Sequence, residues 1–490
     1  MSQSLDRRSF LGHASTGVAW MAACQLMLRD GNLSAQETSQ PSTSPGPTTA
    51  GGLHHPAVAT RVIHIFLGGG LSHLDSFDYK PELEKFHDRD LPATIEAAPF
   101  MGKAGKLHRP HFEFKQRGNS GLWVSELFPF LAGQADELTV IRSMVAETAN
   151  HIPGIFQAQT GFRQMGFPAM GAWLSFGLGN LSENLPSFVV LPDARGIPAD
   201  AGGSFNWSSG FLPAQHQGVP FNTNGPPILD LQPAGKWNAE VQADRLAVLQ
   251  KLNQSHLAEH SQTDALMARI QSYQLAAKMQ AEVPAAMDLS AEPEHVTRLY
   301  GLEREECREM AKNCLAARRL IERGVRMVQI WSGDGVSWDS HDDVTGTGHR
   351  GHLGEARRID QPIAALIQDL KQSGLLASTL VMITTEFGRT PYAQADSGKL
   401  SRGRDHHPEA FTNIVVGGGF QPGVAYGETD EIGYFPVQNP LTTYDLHATI
   451  LHQLGIDHER LTFYHNGIQR RLTNVHGHVA HGLLSTPHVQ

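Results

Sequence analysis

At 490 residues, 40% hydrophobic and 18% charged, the chain has ordinary globular composition and enough length for a large core. A formal charge of −10 excludes a phosphate-tracking basic surface, and with it a nucleic-acid partner. The 3 cysteines form no cluster that would hold zinc.

At the N-terminus, DRRSFLG (Asp6 to Gly12) sets Arg7 and Arg8 before a Ser-Phe-Leu run and a weakly apolar stretch. This resembles a twin-arginine export signal over residues 1–35, cleaved after Ala35, and it predicts a periplasmic or extracytoplasmic protein. Proteins exported this way travel folded and often metal-loaded, so the resemblance implies a cofactor. Cys24 ends a lipoprotein-like AAC, with Met21 upstream. No later segment approaches the roughly 20 apolar residues of a membrane span, so no transmembrane span is expected in the mature chain. Cys307 and Cys314 would then be the cysteines that remain. On one helix their seven-residue separation is roughly 10 Å along the axis, which no disulfide bridges.

Residues 36–57 are rich in Ser, Thr, Pro and Gly and read as a disordered linker, with folded sequence from about Ala59 and a domain spanning 58–480. Short β-branched apolar runs then predict buried strands at 61–67, 138–144, 187–191, 325–331, 379–385 and 412–416. Between the later runs, Ile359, Ile363, Leu366, Ile367 and Leu370 follow helical spacing, with Asp360 as a cap and Gly374 as the stop. Residues from about 239 to 320 carry helical pattern and no strand signal, as a helical insertion would. Strands apolar on both faces, alternating with helices, make the fold class α/β, with a mainly parallel central sheet covered by helices on both faces.

Ligands of such sheets bind beyond the carboxyl ends of the strands, and there this sequence places carboxylates and imidazoles. His73, Asp75 and Asp78 follow the first run; Glu147, Asn150 and His151 follow the second. Asp334, Asp339 and His341 follow the run at 325–331, Glu386 and Arg389 follow 379–385, and Asp405, His406 and His407 precede 412. Mixed oxygen and nitrogen donors of this kind suit a divalent ion: zinc, manganese or calcium. Asp339 and His341 would equally suit a loop hydrogen bond, and Asp405 either coordinates or orients His406 from behind. His447 and His452 sit on an amphipathic helical pattern and read as core or surface residues.

The motifs GGGLSHLDSFDYKPEL, SMVAETANH, GVSWDSHDD, TTEFGRTP, GRDHHPEAF, VVGGGFQPGVAYGETDEIG and DLHATILHQLGI together resemble the exported, sulfatase-like unknown-function family 1501. That family looks like a branch of the alkaline phosphatase superfamily, which implies an alkaline phosphatase-like sandwich with one or two metal ions and a Ser, Thr or Cys-derived nucleophile. Carried over motif by motif, the resemblance implies metal ligands at Glu386, Asp339, His341 and His406, the last preferred to His407. Gly69 stands where the first strand normally ends in an aspartate ligand, so His73 or Asp75 would substitute, and Phe387 stands at another usual ligand position. His151 stands where the nucleophile belongs, with Thr148 as a fallback, and no C-x-P-x-R motif occurs.

The expected function is therefore a metal-dependent hydrolase of phosphate or sulfate esters, on a small-molecule or polysaccharide substrate, without the usual nucleophile. His73, Asp75, Asp339, His341, Glu386, Asp405 and His406 are the metal candidates. His151 is the expected base or nucleophile, Asn150 a further catalytic candidate, and Arg389 the neutraliser of the anion. The alternative is a non-catalytic, metal-stabilised binding protein for an extracytoplasmic anionic or sugar ligand.

Overall fold

The β-branched runs pair into a nine-stranded sheet in the computed structural model, which describes residues 52–485 except 93, 97–98, 101–102, 199–200, 230, 232–238, 260–263 and 395–401. Its strands are β1 (Arg61–Leu67), β2 (Leu138–Val145), β3 (Phe188–Leu191), β4 (Val219–Pro220), β5 (Met327–Ser332), β6 (Thr379–Thr384), β7 (Phe411–Val416), β8 (Val424–Tyr426) and β9 (Leu441–Thr442). The order is β8-β2-β7-β6-β1-β5-β3-β4, with β9 also beside β2. Every pairing is parallel except those of β7, which runs antiparallel to β2 and β6. That one reversal matters for the site. The parallel strands end at the edge where β7 begins, so residues preceding β7 arrive where residues following β1, β2, β5 and β6 depart.

The principal helices are α1 (His151–Thr160), α2 (Met170–Leu178), α3 (Ala239–Glu259), α4 (Asp264–Met287), α5 (Glu294–Tyr300), α6 (Arg308–Glu322), α7 (His352–Gln372) and α8 (Thr443–Gln453). Successive side chains of a strand point to opposite faces. Ile63, Ile65 and Leu67 of β1 accordingly pack in one apolar layer with Leu315 and Leu320 of α6 and Ile363 and Leu366 of α7. Val62 and Phe66 pack in the other with Ile155 of α1, Trp173 of α2 and Ile450 of α8. Each such fully buried side chain contributes about 1.5–3 kcal/mol. His64 shares the second face; burial lowers its pKa to about 3, and its Nε2 lies 2.7 Å from Thr384 Oγ1.

The expected insertion is helical, but its last helix belongs to the sheet layer, since α6 packs with α7 and leads into β5. Cys307 and Cys314 are both free and buried there. Helix α7 begins at His352, earlier than the pattern around Ile359 marks, and carries Pro362 within it. Asp360 does not cap it. Its carboxylate instead accepts the Phe130 and Leu131 N–H groups, both at 2.8 Å, at the start of the short helix Pro129–Ala132, while burial raises its pKa to about 7.

Arg7, Arg8, Cys24, Ala35 and linker residues 36–51 lie outside the described residues. Residues 52–57, expected in the linker, are tied down: His54 N donates to Gly455 O at 2.8 Å, and the His55 ring lies 4.5 Å from that of His452. The packed chain thus starts before Ala59. His447 is a core residue, its Nε2 3.1 Å from Ala158 O. Among the described residues no helix is long and apolar enough to cross a membrane.

Candidate metal centre

Glu386, just past β6, is buried and held by donors rather than left bare. The Gly69 N–H donates to both its oxygens, at 2.8 and 3.1 Å, and His151 Nδ1 lies 2.7 Å from Oε1. Gly69 is a glycine for a steric reason. A Cβ there would stand 2.6 Å from the backbone nitrogens of both Trp338 and Asp339, so only glycine lets the end of β1 lie against the segment that carries Asp339.

Asp339 is the focus. Its Oδ1 lies 2.6 Å from Arg389 Nη2, 3.0 Å from His341 Nε2, 3.1 Å from His406 Nε2 and 3.4 Å from His151 Nε2. These side chains come from the ends of β5, β6 and β2 and from the approach to β7, where Arg389 and His406 face each other in a short antiparallel pairing. One ligand atom each from His151, Asp339 and His406 can be chosen so that all lie within 4.8 Å of one another.

The proton positions make this cluster more than an ion-pair network. His406 Nδ1 lies 2.7 Å from the Ala149 carbonyl, which can only accept, so Nδ1 carries the hydrogen and Nε2 a lone pair. His151 Nδ1 faces the Glu386 carboxylate in the same way, and its Nε2 is buried without a hydrogen-bond partner. Two imidazole nitrogens therefore turn toward one carboxylate oxygen; His341 Nε2, 2.9 Å from His406 Nε2, can donate to that ring, and a cation between the rings and Asp339 would satisfy both nitrogens and the oxygen at once. A carbonyl or carboxylate behind each imidazole is also the usual support of a metal-ligating histidine. The donor set fits a divalent ion of the zinc or manganese type.

The electrostatics agree. Burial alone would raise the Asp339 pKa, but the Arg389 charge, foremost among the opposing influences, outweighs it and holds the carboxylate well below its usual range. Burial and the Arg389 charge lower His406 to about 3, keeping that imidazole neutral. For His151, burial pushes the pKa down, yet contacts with Asp339 and Glu386 win and raise it.

A family model described as "Protein of unknown function (DUF1501)" matches residues 59–484. The chain belongs to this family. No curated protein matches the chain significantly. Among solved structures, the lipoteichoic acid synthase LtaP from Listeria monocytogenes is similar at 10% identity and a TM-score of 0.34, over 86% of this chain and 76% of that one. A protein in the alkaline phosphatase superfamily from Vibrio parahaemolyticus is similar at 12% identity and a TM-score of 0.37, over 93% and 76%. The phosphonate monoester hydrolase SpPMH from Silicibacter pomeroyi is similar at 13% identity and a TM-score of 0.32, over 67% and 68%. With TM-scores below 0.5, none of these likenesses decides the chemistry.

In this DUF1501 chain several expected ligands stand elsewhere. After β1 the chain passes through its glycines into the short turn His73–Asp75, away from Asp339. His73 is fully buried, with Nε2 2.9 Å from Gly433 O. Asp75 is bound to Arg404 at 2.6 Å, with neither side chain exposed, and to the His111 N–H at 2.8 Å. Asp405 accepts the His406 and Phe100 backbone N–H groups at 2.8 and 3.0 Å, so it holds the backbone of His406 and not its ring. His407 points away, with Nε2 2.6 Å from Tyr434 O. Asn150 is exposed at the start of α1 without capping it, and Thr148 Oγ1 accepts the Asn150 N–H at 3.1 Å.

Arg389 is near the centre but is not the expected anion clamp. It has no exposed surface, and its donors serve Gly69 O, Gly70 O, Arg404 O and Asp339. Phe387 is packed against both His151 and His406, with ring centroids 5.0 and 4.8 Å away. Sequence reasoning missed Arg350, whose Nη1 lies 3.7 Å from Asp339 Oδ2 at the rim. The available signal was a lone basic residue inside the glycine-rich GTGHRG.

Proposed function

We propose that this DUF1501 chain holds one divalent ion through His151 Nε2, Asp339 Oδ1 and His406 Nε2, with His341 at the rim, and hydrolyses phosphate or sulfate esters in an extracytoplasmic compartment. The observation that carries the ion is the convergence of two imidazole nitrogens on one carboxylate oxygen, each ring backed by a carbonyl or carboxylate. The motif resemblance to the alkaline phosphatase superfamily supports the ester chemistry, and Arg7 and Arg8 support twin-arginine export.

A bound ion of this kind lowers the pKa of water and polarises a phosphoryl or sulfuryl oxygen. The chain's own residues do the rest. Glu386 fixes the His151 ring from behind, Ala149 O does the same for His406, and Arg389 keeps Asp339 ionised. His151 is thus assigned as a ligand and Glu386 as its orienting partner, the reverse of the roles that the motifs alone suggest. Among the described residues no Ser, Thr or Cys side chain hydrogen-bonds to His151, Asp339 or His406, so hydrolysis would proceed without a covalent enzyme intermediate. The same observation favours a second reading, a metal-stabilised binding protein without turnover.

Exported, metal-loaded protein assayed on phosphate and sulfate mono- and diesters, with and without chelator, separates the two. Turnover of at least one ester class, abolished by chelator, is expected. Glu386→Gln should lower it, or the metal affinity, by about 10–100-fold, as loss of an orienting partner does. No turnover across the panel from protein that carries stoichiometric metal would establish the binding reading instead.

A further inference from the structure

We propose that Arg350 binds the tetrahedral oxyanion of the ester, and that Ser340 and His352 are positioning residues that hold it at the mouth; this rests on the oxyanion-ester reading of the cleft.

The first observation is backbone strain at an unexpected residue. Five described non-glycine residues have positive φ: Asp88, Arg350, Asn439, Asn466 and Asn474. Asn and Asp tolerate that region through local hydrogen bonds, and arginine has no such compensation. Arg350, at φ 64°, is the third residue of a turn closed by the Gly351 N–H donating to Gly348 O at 3.1 Å, a position that favours glycine. Strain held at a defined place points to a use for the side chain.

The second observation is how the strain is held. The Ser72 N–H can only donate, and it lies 2.9 Å from His352 Nε2, so that nitrogen accepts and Nδ1 carries the hydrogen. His352 Nδ1 lies 2.8 Å from Ser340 Oγ, to which it donates. The Ser340 hydroxyl then gives its own proton to the Arg350 carbonyl oxygen. One chain of bonds of single polarity thus runs from buried Ser72, in the segment after β1, to the backbone of Arg350, and burial keeps His352 neutral with a pKa of about 3.

The third observation is what the guanidinium does. Its side chain is 49% exposed, and its closest charged partner is Asp339, whose Oδ2 lies 3.7 Å away. No hydrogen bond from it to a described residue is seen, so its planar fork of donors is open to solvent beside the proposed ion, the geometry that recognises phosphate and sulfate. Arg389 cannot serve, because its donors are committed inside the protein.

The test is calorimetric titration of inorganic phosphate and sulfate into the protein as purified after export. Wild type is compared with Arg350→Gly, Ser340→Ala and the double variant, with melting temperature and metal content read on the same samples. Glycine relieves the backbone strain, so Arg350→Gly should keep or raise the melting temperature while weakening anion binding by about tenfold or more. Ser340→Ala should weaken binding less, and should add nothing in the Arg350→Gly background. Arg350→Gly protein that binds both anions within twofold of wild type would overturn the role of Arg350. Ser340→Ala acting equally with and without Arg350 would overturn the positioning role. Protein that lacks metal yet shows arginine-dependent anion binding would count against the hydrolase and not against Arg350.

Discussion

Asp339→Ala should cost about 3–5 kcal/mol of stability even in protein stripped of metal, because it leaves a buried charge unpaired. Arg389 has no exposed surface, and Asp339 is the carboxylate it meets, at 2.6 Å. Three backbone carbonyls also accept from that guanidinium, but they are dipoles and leave its charge uncompensated. Urea unfolding of chelator-treated protein measures the effect. A loss below about 1 kcal/mol, the size of an exposed pair, would mean that water reaches Arg389 and that its charge does not depend on Asp339. The substitution should also remove the ion, so its effect in metal-loaded protein should be larger still.

Asp75→Ala should destabilise by a similar amount, about 3–5 kcal/mol, while leaving metal content unchanged. Neither Asp75 nor Arg404 exposes any side-chain surface. Burial alone would raise the Asp75 pKa, and the Arg404 charge overrides it and holds the carboxylate below its usual range. Removing Asp75 strands Arg404 and also frees the His111 N–H, which donates to it at 2.8 Å. Elemental analysis beside urea unfolding separates the two aspartates: both support the fold, and only Asp339 should support the ion. Loss of metal in soluble Asp75→Ala protein would restore Asp75 to the site.

The strands were legible because a buried parallel strand must be apolar on both faces, and runs such as RVIHIFL have few other uses. The very short β4, β8 and β9 carry too few residues for any such pattern. Glu386, Asp339, His341, His406, His151 and Arg389 were legible as neighbours, since topology alone brings strand ends to one edge. Their division of labour was not. Whether His151 or Glu386 faces the centre depends on which stands in front, a matter of a few ångströms set by the Gly69 N–H gripping the glutamate. His73 and Asp75 misled for a related reason: proximity in sequence to a strand end does not fix direction, and the chain after Gly70 turns toward Arg404 and Gly433. Arg350 lies in a loop and His352 begins α7 ahead of its apolar pattern, and their roles follow from a backbone angle and a hydrogen-bond chain that sequence does not display.

The most direct measurement of the central claim is the metal content of protein purified after export, for wild type and for His406→Ala. About one divalent ion per chain is predicted in the wild type, removable by chelator, with less than about a tenth of that in His406→Ala. Wild-type protein without stoichiometric metal, or His406→Ala protein that keeps it, would contradict the account.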